Sequence, residues 1–119
     1  MKQSPTQRSL ELLRAAGYRA RVVEQNVRIP SKDGQPAKMF KRDLWGLDII
    51  AVKAGHPTLG VQTTTAANMG ARKIKMAGIE ELRILLGPGP AWKVLIHGWR
   101  KGGPRGARKV WICNVEEMT

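Results

Sequence analysis

Acidic side chains, cysteine, long apolar runs and the smaller aromatics are all scarce in this chain of 119 residues. Nine Asp and Glu stand against 21 Lys and Arg, a formal net charge of +12. That excess exceeds what solubility needs and points to a polyanionic partner. Nucleic acid, DNA first, is the expected one. A basic protein of a ribonucleoprotein would carry the same charge. An anionic membrane surface fits less well, because it calls for a long basic amphipathic helix with bulky apolar anchors, and the sequence offers none. The single cysteine, Cys113, excludes an internal disulfide, and with only two isolated histidines it makes no zinc motif. It reads as a small buried strand residue. No apolar run approaches the ~20 residues that span a bilayer, and MKQSPTQRS lacks the apolar centre of a signal peptide. The expectation is a single domain over residues 1–119, located in the cytoplasm. One Phe and one Tyr against four Trp is an odd aromatic balance. Trp92, Trp99 and Trp111 read as packing residues on strands.

What is present centres on Arg42 to Lys75. Leu47 to Val52 is an apolar run interrupted by one carboxylate, Asp48. Leu59 to Thr64 is β-prone and carries one amide, Gln62, at the matching place. The cluster KAGHP between them predicts a hairpin. With Val52 facing Thr58, the register sets Asp48 opposite Gln62 and Thr64 opposite Gly46. Directly opposed residues hold their Cβ atoms roughly 4.5–5.5 Å apart, so an Asp oxygen and a Gln oxygen are within reach of one small cation. Asp43 either joins that acidic site or caps the turn before it, and Gly46 leaves room for a close backbone approach. His56 falls in the hairpin turn and is expected to face solvent.

Around this centre, Ser4-Pro5-Thr6-Gln7 opens a helix running to about Ala16 with a stripe of Leu10, Leu12, Leu13 and Ala16. Glu11 on it reads as solvated surface. Tyr18 to Ile29 alternates as a first strand, bent near Glu24. That glutamate is either an extra acid for the site or an edge charge paired with an arginine. Pro30 to Arg42 reads as a long basic loop with a turn at Asp33-Gly34 and with Phe40 and Trp45 anchoring its end. Lys32, Lys38, Lys41 and Arg42 give it the charge to follow a phosphate backbone. Thr65 to Asn68 start a helix that breaks near Gly78 and ends at Gly87-Pro88-Gly89-Pro90. Arg72, Lys73 and Lys75 spread over its polar side, while Ile74, Met69 or Met76, and Ala77 are expected against the sheet. Two last strands, Trp92 to Trp99 and Lys109 to Val115, flank a glycine-rich basic loop. Arg100, Lys101, Arg105, Arg108 and Lys109 there suit a nonspecific grip on DNA.

The Gly46-Leu47-Asp48 turn, the apolar strand, the hairpin, Gln62-Thr63-Thr64 and the basic helix together resemble the PD-(D/E)XK nuclease superfamily, including Holliday-junction resolvases, Mrr-like enzymes and small phage-encoded members. The resemblance implies an α/β sandwich of two or three layers with a mixed central sheet and an αβββαβ core. It implies Mg²⁺ or Mn²⁺ held by Asp48, Gln62 and the Thr63 carbonyl, with Glu24 or Asp43 assisting, and hydrolysis of DNA by a protein that forms a homodimer. Gln62 stands where the motif has its second acid, and Thr64 where it has lysine. Lys75 or Lys73 is then the replacement cation. A nuclease-like fold that binds DNA without cutting it is the alternative.

Overall fold

The computed structural model describes residues 3–31, 33–87 and 91–119, with the backbone alone at 26–29 and 38–41. Helix α1 (Pro5–Ala15) starts where Ser4 Oγ accepts from the Gln7 amide at 3.2 Å, with Pro5 in the first turn. It buries Ser9, Leu10 and Leu13. Leu12 and Ala16, expected in that stripe, are instead exposed: Leu12 lies off the face that Ser9, Leu10 and Leu13 share, and Ala16 is the C-cap.

The first extended stretch divides into β1 (Arg19–Val22) and β2 (Gln25–Ile29), the break falling at Val23-Glu24. The expected basic loop is corrected here. Lys38–Arg42 forms β3, antiparallel to β2, with Asp33 and Gly34 both at positive φ in the connection. QNVRI and KMFKR pair because each satisfies the other's backbone polar groups, which composition alone does not reveal. Strands β4 (Ile49–Val52) and β5 (Thr58–Thr65) form the expected hairpin. After a 3-10 turn (Ala66–Asn68) come α2 (Met69–Ala77), α3 (Glu80–Leu85), β6 (Trp92–Gly102) and β7 (Val110–Met118). The break between α2 and α3 is at Gly78. The stop predicted at Pro88 to Pro90 lies outside the described residues.

The main sheet is mixed, in the order β1-β4-β5-β6-β7, with only β5 and β6 parallel. A parallel pair needs a crossover, and α2 and α3 supply it. Leu10 and Leu13 of α1 pack on Ile49, Ala51, Leu59 and Val61. Met76 and Leu82, from α2 and α3, pack with Leu47, Val94, Ile96 and Met118. Alternation along β4 and β5 puts these clusters on opposite faces, so the molecule has three layers. Ile74 is 78% exposed rather than against the sheet, because Met76 takes the inward position of α2.

The first turn of the crossover lies tight on β6. A Cβ at Gly98 would collide with the Met69 side chain and come within 3.1 Å of Ala66 Cα. Met69 can move, but the Ala66 backbone cannot without shifting the start of α2. Gly98→Ala is therefore expected to cost about 1–3 kcal/mol by overpacking, read from the urea midpoint.

Candidate functional site

The ladder between β4 and β5 runs Ala51↔Leu59, Ile50↔Gly60 and Ile49↔Val61, the register the sequence predicts. At Asp48 it changes. The Asp48 amide donates to Val61 O at 2.8 Å, out of step with the ladder, and its carboxylate takes over from the backbone as partner of β5. Asp48 Oδ2 accepts from the Thr63 amide at 2.9 Å, from Thr63 Oγ1 at 3.1 Å and from Gln62 Nε2 at 2.8 Å. Gly46 does not continue the ladder to Thr64. Leu44 and Leu47 instead exchange both backbone hydrogen bonds around Trp45 and Gly46, whose φ values of +55° and +83° make a tight mirror-type turn. Asp43 Oδ1 accepts from the Gly46 amide at 3.1 Å, the capping role. Trp45 at this turn is 44% exposed and does not anchor the core, since the turn aims it outward.

Asp48 is 5% exposed, and burial pushes its carboxyl up to about 6, against the pull of the Thr63 hydrogen bonds. Glu24, at the β1–β2 break, adds to the rise by its charge and by a side-chain hydrogen bond to Asp48. Asp48 therefore keeps its proton more readily than an ordinary carboxyl does. Around them opens a cavity of about 360 Å³ lined by Ser4, Pro5, Thr6, Glu24, Asp43, Asp48, Gln62, Thr63, Arg72 and Lys75. It lies where β5 ends and β4 begins, between the start of α1 and helix α2.

Glu24, Asp43, Asp48, Gln62, Thr63, Arg72 and Lys75 are thus brought together. Thr64 is buried on β5 beside Gly98 and is not in the cavity wall. Lys73 points elsewhere and is ion-paired with Glu116 of β7. Arg100 donates to Asn114 Oδ1 at 3.4 Å, and Lys101 lies 5.3 Å from the Trp111 ring. Lys109 donates to Gly103 O at 3.3 Å. Arg105 and Arg108 are exposed in the loop 103–109. Because β6 runs parallel to β5, this loop lies at the same end of the sheet as the cavity. Arg42 is exposed at the end of β3, and the side chains of Lys38 and Lys41, like Lys32 entirely, lie outside the described residues.

Thr6 is a participant that sequence reasoning missed. Its Oγ1 is 2.7 Å from Thr63 Oγ1, which already donates to Asp48, so Thr6 is the donor of that pair. The capping pattern places a helix start at Ser4, but which end of the sheet it meets is a tertiary fact. Nearby, Ser9 Oγ accepts from Trp99 Nε1 at 2.8 Å and lies 2.9 Å from His97 Nδ1. Burial pushes His97 down to about 4, so it is neutral. Trp99 packs as expected, whereas Trp111 is 43% exposed under Arg8, whose guanidinium sits 3.9 Å from the ring centre. Cys113 is half-buried, and burial pushes its thiol up to about 11.

The donor set fits a hard divalent cation. Among the described residues no three His, Cys, Asp or Glu side chains converge on one point. Asp48 and Glu24 would contribute carboxylate oxygens, Thr63 its carbonyl, and Gln62 its Oε1 after a half-turn of the amide. Mg²⁺ commonly binds through one or two carboxylates and takes the rest of its shell from water and phosphate. No helix among the described residues is long and apolar enough to cross a membrane. Compared with family models, with curated proteins and with solved structures, the chain matches none.

Proposed function

We propose that this protein is a divalent-metal-dependent nuclease acting on DNA. The observation that carries the reading is the convergence of Asp48, Glu24 and Gln62 with Arg72 and Lys75 around one cavity in a chain of net charge +12. A buried carboxylate beside a second, half-buried one is costly unless a cation or proton is present, while the two cationic side chains opposite suit a phosphate group. The order α1, β1, β4, β5, α2, β6, with the β2–β3 hairpin as an insertion, also follows the αβββαβ order that the motif resemblance implies. Fold order is supporting analogy, and the site carries the reading.

In this reading Asp48, Glu24, Gln62 and the Thr63 carbonyl hold Mg²⁺ or Mn²⁺, which when bound lowers the pKa of water and offsets charge on the phosphodiester. Thr63 and Thr6 hold the Asp48 carboxylate in place, and Asp43 holds the turn that delivers it. Lys75 supplies the cation that Thr64 cannot, and Arg72 binds a phosphate oxygen. Incubating linear and branched DNA with Mg²⁺ or Mn²⁺ tests this directly: the wild type should cut and Asp48→Ala should not. Binding without cutting would support the second reading, a DNA-binding module. That reading is favoured by Gln62 Nε2, which already satisfies Asp48 without a cation.

Gln62→Glu separates the two readings by sign. Without metal, a further carboxylate against Asp48 and Glu24 should lower stability by about 1–3 kcal/mol. With Mn²⁺ the same change should raise thermal stability above that of wild type, because it adds charge to an oxygen site. A loss that Mn²⁺ does not repair rejects the metal site.

DNA binding should be largely independent of sequence and steeply salt-dependent, since the charge is distributed and no recognition helix is evident. Replacing Arg105, Arg108 and Lys109 together by Ala should reduce the slope of log affinity against log salt by about two to three. An unchanged slope would place this loop off the DNA.

A further inference from the structure

Helix α1 packs on β1, β4, β5 and β6 and leaves the adjoining face of β7 open, with Trp111 43% and Val115 55% exposed. Alternation puts Trp111 on this face, because its partner Lys101 is two residues on from Trp99, which reaches Ser9 of α1. Between helix and strand lies a groove of about 330 Å³ whose walls include Arg8, Glu11, Leu12, Trp99 and Trp111. Two cations address the exposed indole. Arg8 Cζ is 3.9 Å and Lys101 Nζ 5.3 Å from the ring centre. Proteins that hold single strands use the same combination, aromatic rings on which bases stack, set in a cationic groove that follows the backbone.

We propose, on the DNA reading above but independently of cleavage, that this groove takes an unpaired base stacked on Trp111, so that the substrate is DNA with a single-stranded segment. A base inside a duplex is stacked on both faces and cannot lie on an indole, so the ring selects unpaired bases. Arg8 is the group that moves. Its hydrogen bond to Gln3 Oε1 is long, 3.4 Å, and a base arriving over Trp111 displaces the guanidinium to the flanking phosphate. Lys101, with Arg105 and Arg108 exposed further along the same hairpin, continues the cationic path. At the rim Gln3 Nε2 donates to Glu11 Oε1 at 2.6 Å, and the pair offers both donor and acceptor to a base edge. Charge decides the occupant. An apolar peptide would leave Arg8 and Lys101 uncompensated and an acidic one would not use the ring, whereas a nucleotide uses both. Helix α1 also links the groove to the cavity, since Thr6 meets Thr63 there and Arg8, two residues on, stands over Trp111. Two strand spacings, about 10 Å, separate β7 from β5, so one strand of DNA can reach both.

Fluorescence titration in EDTA with oligothymidylate, and with a duplex of equal length, tests this. Wild type should bind both, and the single strand should quench its tryptophan emission. Trp111→Leu, which keeps an apolar side chain, should lose most of that quench and about tenfold or more in single-strand affinity, with duplex affinity within about twofold. Trp111→Phe keeps a ring and should hold single-strand affinity within about threefold of wild type. Arg8→Ala should retain the quench and reduce the single-strand salt slope by about 0.7. A loss in Trp111→Leu that is absent, equal on the two forms of DNA, or matched by Trp111→Phe overturns the stacking and leaves the DNA reading standing. Binding to neither form overturns both. Tighter binding of oligouridylate than of oligothymidylate would assign the groove to RNA and overturn it for DNA.

Discussion

Asp48→Asn is expected to make the protein more stable, not less, when divalent cations are chelated at pH 8. The folded carboxyl, pushed up to about 6 from its ordinary 3.8, binds its proton more tightly than the unfolded chain does. Ionising it therefore weakens the fold, progressively as pH rises from about 4 to 6 and in full above that. That rise corresponds to about 3 kcal/mol. Asn removes the charge but reproduces the three hydrogen bonds imperfectly, so a net gain of about 2 kcal/mol, or about 5–10 °C in Tm, is expected. Below about pH 4 the gain should vanish, since Asp48 is then neutral as well.

His97 titrates in the opposite sense. Its folded value of about 4 lies below the ordinary 6.5, so the stability it contributes is present above 6.5 and lost as pH falls to 4. The two effects overlap and partly cancel in wild type, and Asp48→Asn should expose the His97 dependence alone. Mn²⁺ should raise the Tm of wild type and leave that of Asp48→Asn unchanged. A variant no more stable than wild type in chelator at pH 8 would show that the buried carboxylate is under no electrostatic strain.

Lys75→Ala should have the largest effect on activity. On the nuclease reading a cation must meet the charge that grows on the attacked phosphate, and Thr64 offers none. Of the two lysines that the sequence nominates, Lys75 lines the cavity, whereas Lys73 is engaged by Glu116 on the far strand. Removing a preorganised charge-stabilising group lowers rates about 10²–10³-fold, while losing one of many phosphate contacts should change DNA affinity by only about threefold. Lys73→Ala should cut at close to the wild-type rate. Single-turnover cleavage at saturating protein measures the first effect apart from the second. Wild-type rates in Lys75→Ala would remove this residue from the mechanism, and a defect in Lys73→Ala alone would exchange the two roles.

The hairpin register from Ala51↔Leu59 to Ile49↔Val61, and with it the meeting of the Asp48 and Gln62 side chains, was legible in the sequence, because it follows from a turn and an alternation that are local in the chain; the break in the ladder at Asp48 was not. The helix start at Ser4, the break at Gly78 and the cap from Asp43 were legible for the same reason: each depends on neighbours within a few residues. The β2–β3 hairpin was only half legible: β2 lies within the stretch expected to be extended, whereas KMFKR of β3 shows no apolar alternation and is specified only by pairing with β2. Tertiary structure alone decided that Glu24 turns toward Asp48, that Thr6 reaches Thr63 across 57 positions, and that Lys75 rather than Lys73 enters the cavity. Those choices depend on how α1 and α2 sit on opposite faces of the sheet. Helix orientation on a sheet is set by the summed packing of both cores, which no local pattern encodes.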